Sequence, residues 1–242
     1  QLPLNGTGRV QATGGDGSPI IDPKTNASTP TAGGSGGRVS LPQCSVLPDT
    51  SVQVNGGSNS DGSCGLGASC QCGSAGTLVY TPCEGDEEKG NLLIVDNGNL
   101  VTTASSYAVA EGYHYDTLLP LLELRVLSGA QLREAKGRNV SAGSRIQLKE
   151  SARVHLDRGQ ALTTADLQIT SAEVVGPSEM GQASGSGGTS DSSAALVDVG
   201  NLHIDALSKI AGVTRLMISE SANIQGHIEV LSDAINMTVG RI

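Results

Sequence analysis

The sequence predicts an all-β solenoid of the β-helix type, carrying loop insertions, and three observations point there. Short alternating apolar–polar segments recur every ~20 residues, the period of a stacked repeat. The 242 residues include no Phe, no Trp and only four Tyr, so a thick globular interior has nothing to fill it. Leu, Ile and Val remain plentiful, which suits a thin core of stacked aliphatics and separates the chain from disordered compositions.

Residues 1–85 read as irregular Gly/Ser/Cys-rich rungs. Gly8-Arg9-Val10 and Gly37-Arg38-Val39 share a pattern that Gly240-Arg241-Ile242 repeats, and a corner glycine with φ > 0 leading into a strand accounts for it. Ser51-Val52-Gln53-Val54 and Gly76-Thr77-Leu78-Val79-Tyr80 are β-prone runs with glycines beside them.

Residues 86–242 read as regular rungs. Asn91-Leu92-Leu93-Ile94-Val95 and Leu122-Glu123-Leu124-Arg125-Val126 begin the series. Arg145-Ile146-Gln147-Leu148, Asp166-Leu167-Gln168-Ile169, Leu196-Val197-Asp198-Val199, Leu216-Met217-Ile218 and His227-Ile228-Glu229-Val230 continue it. A second signature, small–Ala–polar–aliphatic, recurs at Gly129-Ala130-Gln131-Leu132, Ser151-Ala152-Arg153-Val154, Ser171-Ala172-Glu173-Val174 and Ser221-Ala222-Asn223-Ile224. A further rung is expected at Gly200-Asn201-Leu202-His203-Ile204. Insertions are expected near 106–120, which holds Tyr107, Tyr113, His114 and Tyr115, and near 176–193, a polar low-complexity stretch.

The net charge of −9 argues against a nucleic-acid partner, because phosphate binding needs a basic surface. No apolar run approaches the ~18 residues of a membrane span. The chain opens on Gln1 and closes on Gly240-Arg241-Ile242 within an apolar pattern, so it is expected to be a piece of a longer protein. Four sequons, at Asn5, Asn26, Asn139 and Asn236, accompany five cysteines, Cys44, Cys64, Cys70, Cys72 and Cys83. The cysteine spacing fits paired zinc ligands poorly. Together they predict a secreted, oxidised glycoprotein with at most two internal disulfides.

No motif in the chain completes a catalytic or metal-binding pattern. Gly33-Gly34-Ser35-Gly36-Gly37 matches the nucleophile-elbow pattern, but no strand precedes it and no helix follows. His155/Asp157 and His203/Asp205 each sit two residues apart, which on a strand shares a face and in a solenoid could stack into a His/Asp column; a solvated outer face explains them as well. Gly14-Gly15-Asp16-Gly17 and Asn59-Ser60-Asp61-Gly62 complete no calcium loop. Asp157, Asp166, Asp198 and Asp205 are the carboxylates a polysaccharide lyase or hydrolase would use, although the chain lacks aromatic sugar platforms. No catalytic residue, metal ligand or cofactor is assigned.

The unit Gly36-Gly37-Arg38-Val39, the glycine-rich turn from Asn55 to Gly62 and the strand Gly76-Thr77-Leu78-Val79-Tyr80 resemble rungs of very large, Gly-rich secreted surface proteins of protists, themselves similar to bacterial β-helical adhesins. The resemblance covers residues 1–100 and the remainder through its period. It implies a right-handed parallel β-helix in an extracellular adhesin, cell-wall component or filament subunit such as a flagellar hair, and it carries over no catalytic residue. The expectation is therefore an extracellular or cell-surface structural glycoprotein, a rod that assembles with copies of itself into a filament, hair or surface layer. Two alternatives are a polysaccharide-active β-helix enzyme and an adhesin that binds ligand through Tyr107, Tyr113 and Tyr115.

Overall fold

In the computed structural model the described residues are 9–29, 33–44, 52–58, 72–85, 90–98, 121–134, 138–177 and 195–230. Among them the chain is all-β, in mostly parallel sheets, with no helix. The expected insertion at 106–120, most of that at 176–193, Cys64, Cys70, and the sequons at Asn5 and Asn236 lie outside the described residues.

The early strands are short: β1 (Val10–Gln11), β2 (Ile20–Ile21), β3 (Ser28–Thr29), β4 (Arg38–Pro42) and β5 (Val52–Gln53). Then follow β6 (Gly76–Thr81), β7 (Asn91–Asp96), β8 (Leu121–Leu127) and β9 (Gln131–Arg133). The repeats proper comprise β10 (Val140–Lys149), β11 (Arg153–His155), β12 (Ala161–Thr170), β13 (Glu173–Val175), β14 (Leu196–Ile204), β15 (Lys209–Val213), β16 (Arg215–Ile224) and β17 (His227–Val230). Even-numbered strands from β8 to β16 join β7, β6 and β4 in an eight-stranded sheet. Odd-numbered strands from β9 to β17 form a five-stranded sheet. Each repeat thus contributes one long and one short strand, parallel to its predecessors.

Register interruptions, between Ala142 and Arg145 and between Val199 and Asn201, divide the long strands into a first and a second segment. The short strand is the third. Alternation buries one side of every segment. The second segment stacks Leu93, Leu124, Ile146, Leu167 and Leu202 in register, and beside them Val95, Val126, Leu148, Ile169 and Ile204. The third stacks Leu132, Val154, Val174, Ile210 and Ile228, and the first Val140, Leu162, Val197 and Leu216. Apart from Ile228, all are essentially buried and belong to one hydrophobic cluster. Each such side chain contributes about 1.5–3 kcal/mol on burial, and none is aromatic.

The small–Ala signature marks the corner between second and third segments. Ser128, Gly129, Glu150, Ser151 and Ser171 have positive φ there, and the corners bond one another, Gly129 N–H to Glu150 O and Ser151 N–H to Ser171 O. The following Ala130, Ala152 and Ala172 are buried. The fourth match is a correction: Ser221-Ala222-Asn223-Ile224 lies in β16, opposite Asn201-Leu202-His203-Ile204, and so in the second segment. At the true fourth corner, Asp205 and Ser208 do the work of the αL residues. Similar tetrapeptides at different phases arise because every segment alternates with the same period.

Uniform parallel succession does not extend through the chain. β4 and β6 are parallel to each other, but β6 runs antiparallel to β7. The connection between them includes Gly85 and Gly90 at positive φ and Cys83, whose disulfide to Cys44 ties the end of β4 to this reversal. β2 and β3 form a further antiparallel pair.

The corner expectation fails at Gly37, while Gly8 and Gly240 lie outside the described residues. Gly14, Gly36, Gly37, Gly57, Gly73 and Gly76 are absent from the positive-φ residues. Instead the extended segments around residues 12–17, 34–37, 53–58 and 73–77 lie backbone against backbone. Gly34 N–H donates to Gly15 O, Gly57 N–H to Gly34 O, Gly73 N–H to Gly57 O and Gly76 N–H to Val54 O. A Cβ on Gly36 would stand 1.9 Å from the Val54 oxygen, and one on Gly73 1.7 Å from the Gly34 oxygen. What these positions require is the missing side chain, not the backbone freedom.

Candidate functional site

The four acidic candidates are dispersed. Asp157 follows β11 and takes both Arg133 Nε, at 3.0 Å, and Arg133 Nη2, at 2.5 Å, from the preceding repeat. Asp166, on the second segment of β12, accepts from Arg145 Nε at 3.0 Å and Gln168 Nε2 at 2.8 Å. Asp205 caps a corner: its carboxylate accepts the Ser171 N–H at 3.1 Å, the Leu207 N–H at 3.2 Å and the Ser208 hydroxyl. Those bonds, the Ser208 hydroxyl first, hold its pKa below the usual carboxylate value. Asp198 differs. It lines a groove of about 730 Å³, and its carboxylate has no hydrogen bond or ion pair among the described residues. None of the other three lines this groove.

The groove lies along the first segment, where Arg138, Asn139, Ser141, Thr163, Asp198 and Ser219 surround it. Ser141, Thr163 and Asp198 occupy one outward column on successive repeats. Gly143, Ala165 and Gly200 sit at the junction of first and second segments, and their small or absent side chains leave the recess. Motif reasoning missed the groove because its signal is a spacer of one or two residues between two alternating runs: Gly143-Ser144, Ala165, Gly200 and Ser219-Glu220 in successive repeats.

The alternative His/Asp column does not form. β11 ends at His155 and β14 at Ile204, so Asp157 and Asp205 lie past the strand ends and the shared-face rule stops applying. His155 stands in the third segment opposite Arg133 and Val175, whereas His203 stands in the second opposite Gln168 and Asn223. His155 is 8% exposed, with Nε2 3.1 Å from Gln131 Oε1. Burial first, then the neighbouring Arg153 and Arg133, lower its pKa to about 4.

Other outward side chains bond between repeats. Gln147 Nε2 donates to Gln168 at 3.1 Å, Arg153 pairs with Glu173 at 3.0 Å, Lys209 with Glu229 at 3.7 Å, and Asn201 donates to Glu220 at 2.8 Å. Exposed pairs of this kind each contribute little alone. Asp16 accepts Ser58 N–H and Oγ, both at 2.8 Å, so the Gly14-Gly15-Asp16-Gly17 turn joins two glycine segments. Ser58, through its hydroxyl first, lowers the Asp16 pKa. Gly33-Gly34-Ser35-Gly36-Gly37 belongs to the same backbone packing. No cluster of three or more His, Cys, Asp or Glu suited to a metal occurs among the described residues.

Of the sequons, Asn26 is exposed beside the β2–β3 turn, and Asn139 is exposed at the groove. Cys44 and Cys83 form a disulfide, and Cys72, which is buried, is also disulfide-bonded. Cys64, Cys70, the remaining sequons, Tyr107, Tyr113, Tyr115 and Asn59-Ser60-Asp61-Gly62 fall largely or wholly outside the described residues. No family model, curated protein or solved structure matches this chain.

Proposed function

We propose that the chain is a right-handed parallel β-helix serving as a rod-like subunit of an extracellular filament, flagellar hair or cell-surface layer, glycosylated and non-catalytic. The observation that carries this reading is the cohesion along the stacking direction. Aliphatic columns continue through successive repeats, and the polar side chains outside them, including three of the four candidate carboxylates, bond from one repeat to the next. Groups committed this way hold a rod together and are withdrawn from chemistry. The Cys44–Cys83 disulfide agrees with an oxidising compartment. A contact between copies that does not close on itself suffices to extend rods into a fibre.

Negative-stain microscopy of the native material tests the reading. Filaments or ordered layers built from slender rods are the expected result. Dispersed monomers that cleave a polysaccharide, with the activity lost on Asp198→Asn, would replace it with the enzymatic alternative.

A further inference from the structure

The groove along the first segment has an occupant within reach, the chain's own carbohydrate. We infer that Asn139 carries an N-linked glycan whose first sugars lie in this groove, an inference that rests on the extracellular glycoprotein reading. Asn139 is exposed, lines the groove and opens the sequon Asn139-Val140-Ser141. Its Oδ1 accepts the Ala161 N–H at 2.9 Å, which fixes the amide plane. Nδ2 donates to nothing among the described residues, so the nitrogen that would carry the sugar is the unengaged end. Glycosylation there forms a bond from Nδ2 to the anomeric carbon of a lipid-diphosphate-linked oligosaccharide. It breaks that carbon's bond to the phosphate oxygen, and the amide proton leaves with the lipid diphosphate.

The walls match what a sugar offers. Asp198, without a protein partner among the described residues, is an acceptor for sugar hydroxyls, and the Thr163 hydroxyl beside it, also unbonded there, can donate or accept. Ser141, Thr163 and Asp198 span two repeat spacings, roughly 10 Å in all, the reach of a disaccharide. Leu121 presents apolar surface to the C–H faces of the rings, and Gly143 and Gly200 let a ring approach the backbone. The volume of about 730 Å³ falls within the range of small-ligand sites. A free polysaccharide could use the same acceptors, but the covalent glycan is tethered at the rim by Asn139 itself.

The test uses the chain secreted from a glycosylating eukaryotic host, with occupancy at Asn26 and Asn139 read by glycopeptide mass spectrometry. Release by peptide N-glycosidase is then followed without denaturant. Asn139 is expected to be occupied and to lose its glycan about tenfold more slowly than Asn26, the effect of one or two net hydrogen bonds. Asp198→Asn, and separately Thr163→Ala, should bring the two rates together, and denaturation should equalise them in every variant. An unoccupied Asn139, or an occupied one released as fast as Asn26 from native protein, overturns the inference. Filaments from material with a bare Asn139 would leave the rod reading intact; loss of both filaments and glycans would remove both.

Discussion

Acidification should destabilise this protein through one buried histidine. His155 keeps a pKa of about 4 in the fold, because burial and the flanking Arg153 and Arg133 disfavour its cation, against 6.5 when exposed. Between those values the unfolded chain holds a proton that the folded chain refuses, so stability is complete above about pH 6.5 and falls as the pH drops towards 4. Taken from about pH 7.5 to about pH 4.5, the difference in proton binding amounts to about 2–3 kcal/mol, a large share of an ordinary domain's stability. Urea denaturation across that range, followed by circular dichroism, measures the loss. His155→Gln, which keeps a polar group opposite Gln131 but cannot take up a proton, should lose about 2 kcal/mol less than the parent over the same interval. Equal losses in the two proteins would show that His155 is not the group responsible and would refute the reasoning.

Gly36→Ala should destabilise by about 3 kcal/mol or more, since its Cβ would overlap the Val54 oxygen at 1.9 Å and no flexible side chain can yield. Gly15→Ala, whose Cβ meets nothing within 4 Å, should be neutral or gain a few tenths of a kcal/mol; denaturation midpoints of the pair decide the matter. The paired change Cys44→Ser and Cys83→Ser opens a link across a sequence separation of 39, which chain entropy puts at about 4 kcal/mol. Unfolding the parent in reductant, which also opens the Cys72 disulfide, should cost at least as much, and a variant as stable as the oxidised parent would show that β4 and the β6–β7 connection hold without the Cys44–Cys83 bond.

Much of the architecture was legible because a buried segment alternates with period two and a stacked repeat imposes a second, longer period. Ile146, Leu167 and Val197 could therefore be recognised as core residues from the chain alone. Phase was not legible. Ser221-Ala222-Asn223-Ile224 resembles the corner signature yet pairs with the second segment, because local pattern carries no record of which neighbour a strand will meet. The His/Asp pairs failed for a related reason: spacing of two implies a shared face only while the strand continues, and β11 and β14 stop first.

The sequence by itself determined the class of core. Without Phe or Trp, and with aliphatics at alternating positions, only thin stacked layers could bury enough surface. Tertiary structure decided what the remaining residues are for. It turned Asp157, Asp166 and Asp205 into contacts between or within repeats and left Asp198 facing a groove. It reversed the chain between β6 and β7, and it made the early glycines a packing surface, Gly37 among them, where a corner residue had been expected. Those outcomes depend on which backbones come within hydrogen-bonding distance across 20 to 40 residues of chain, and pairing over that span is set by the whole stack, not by any local run.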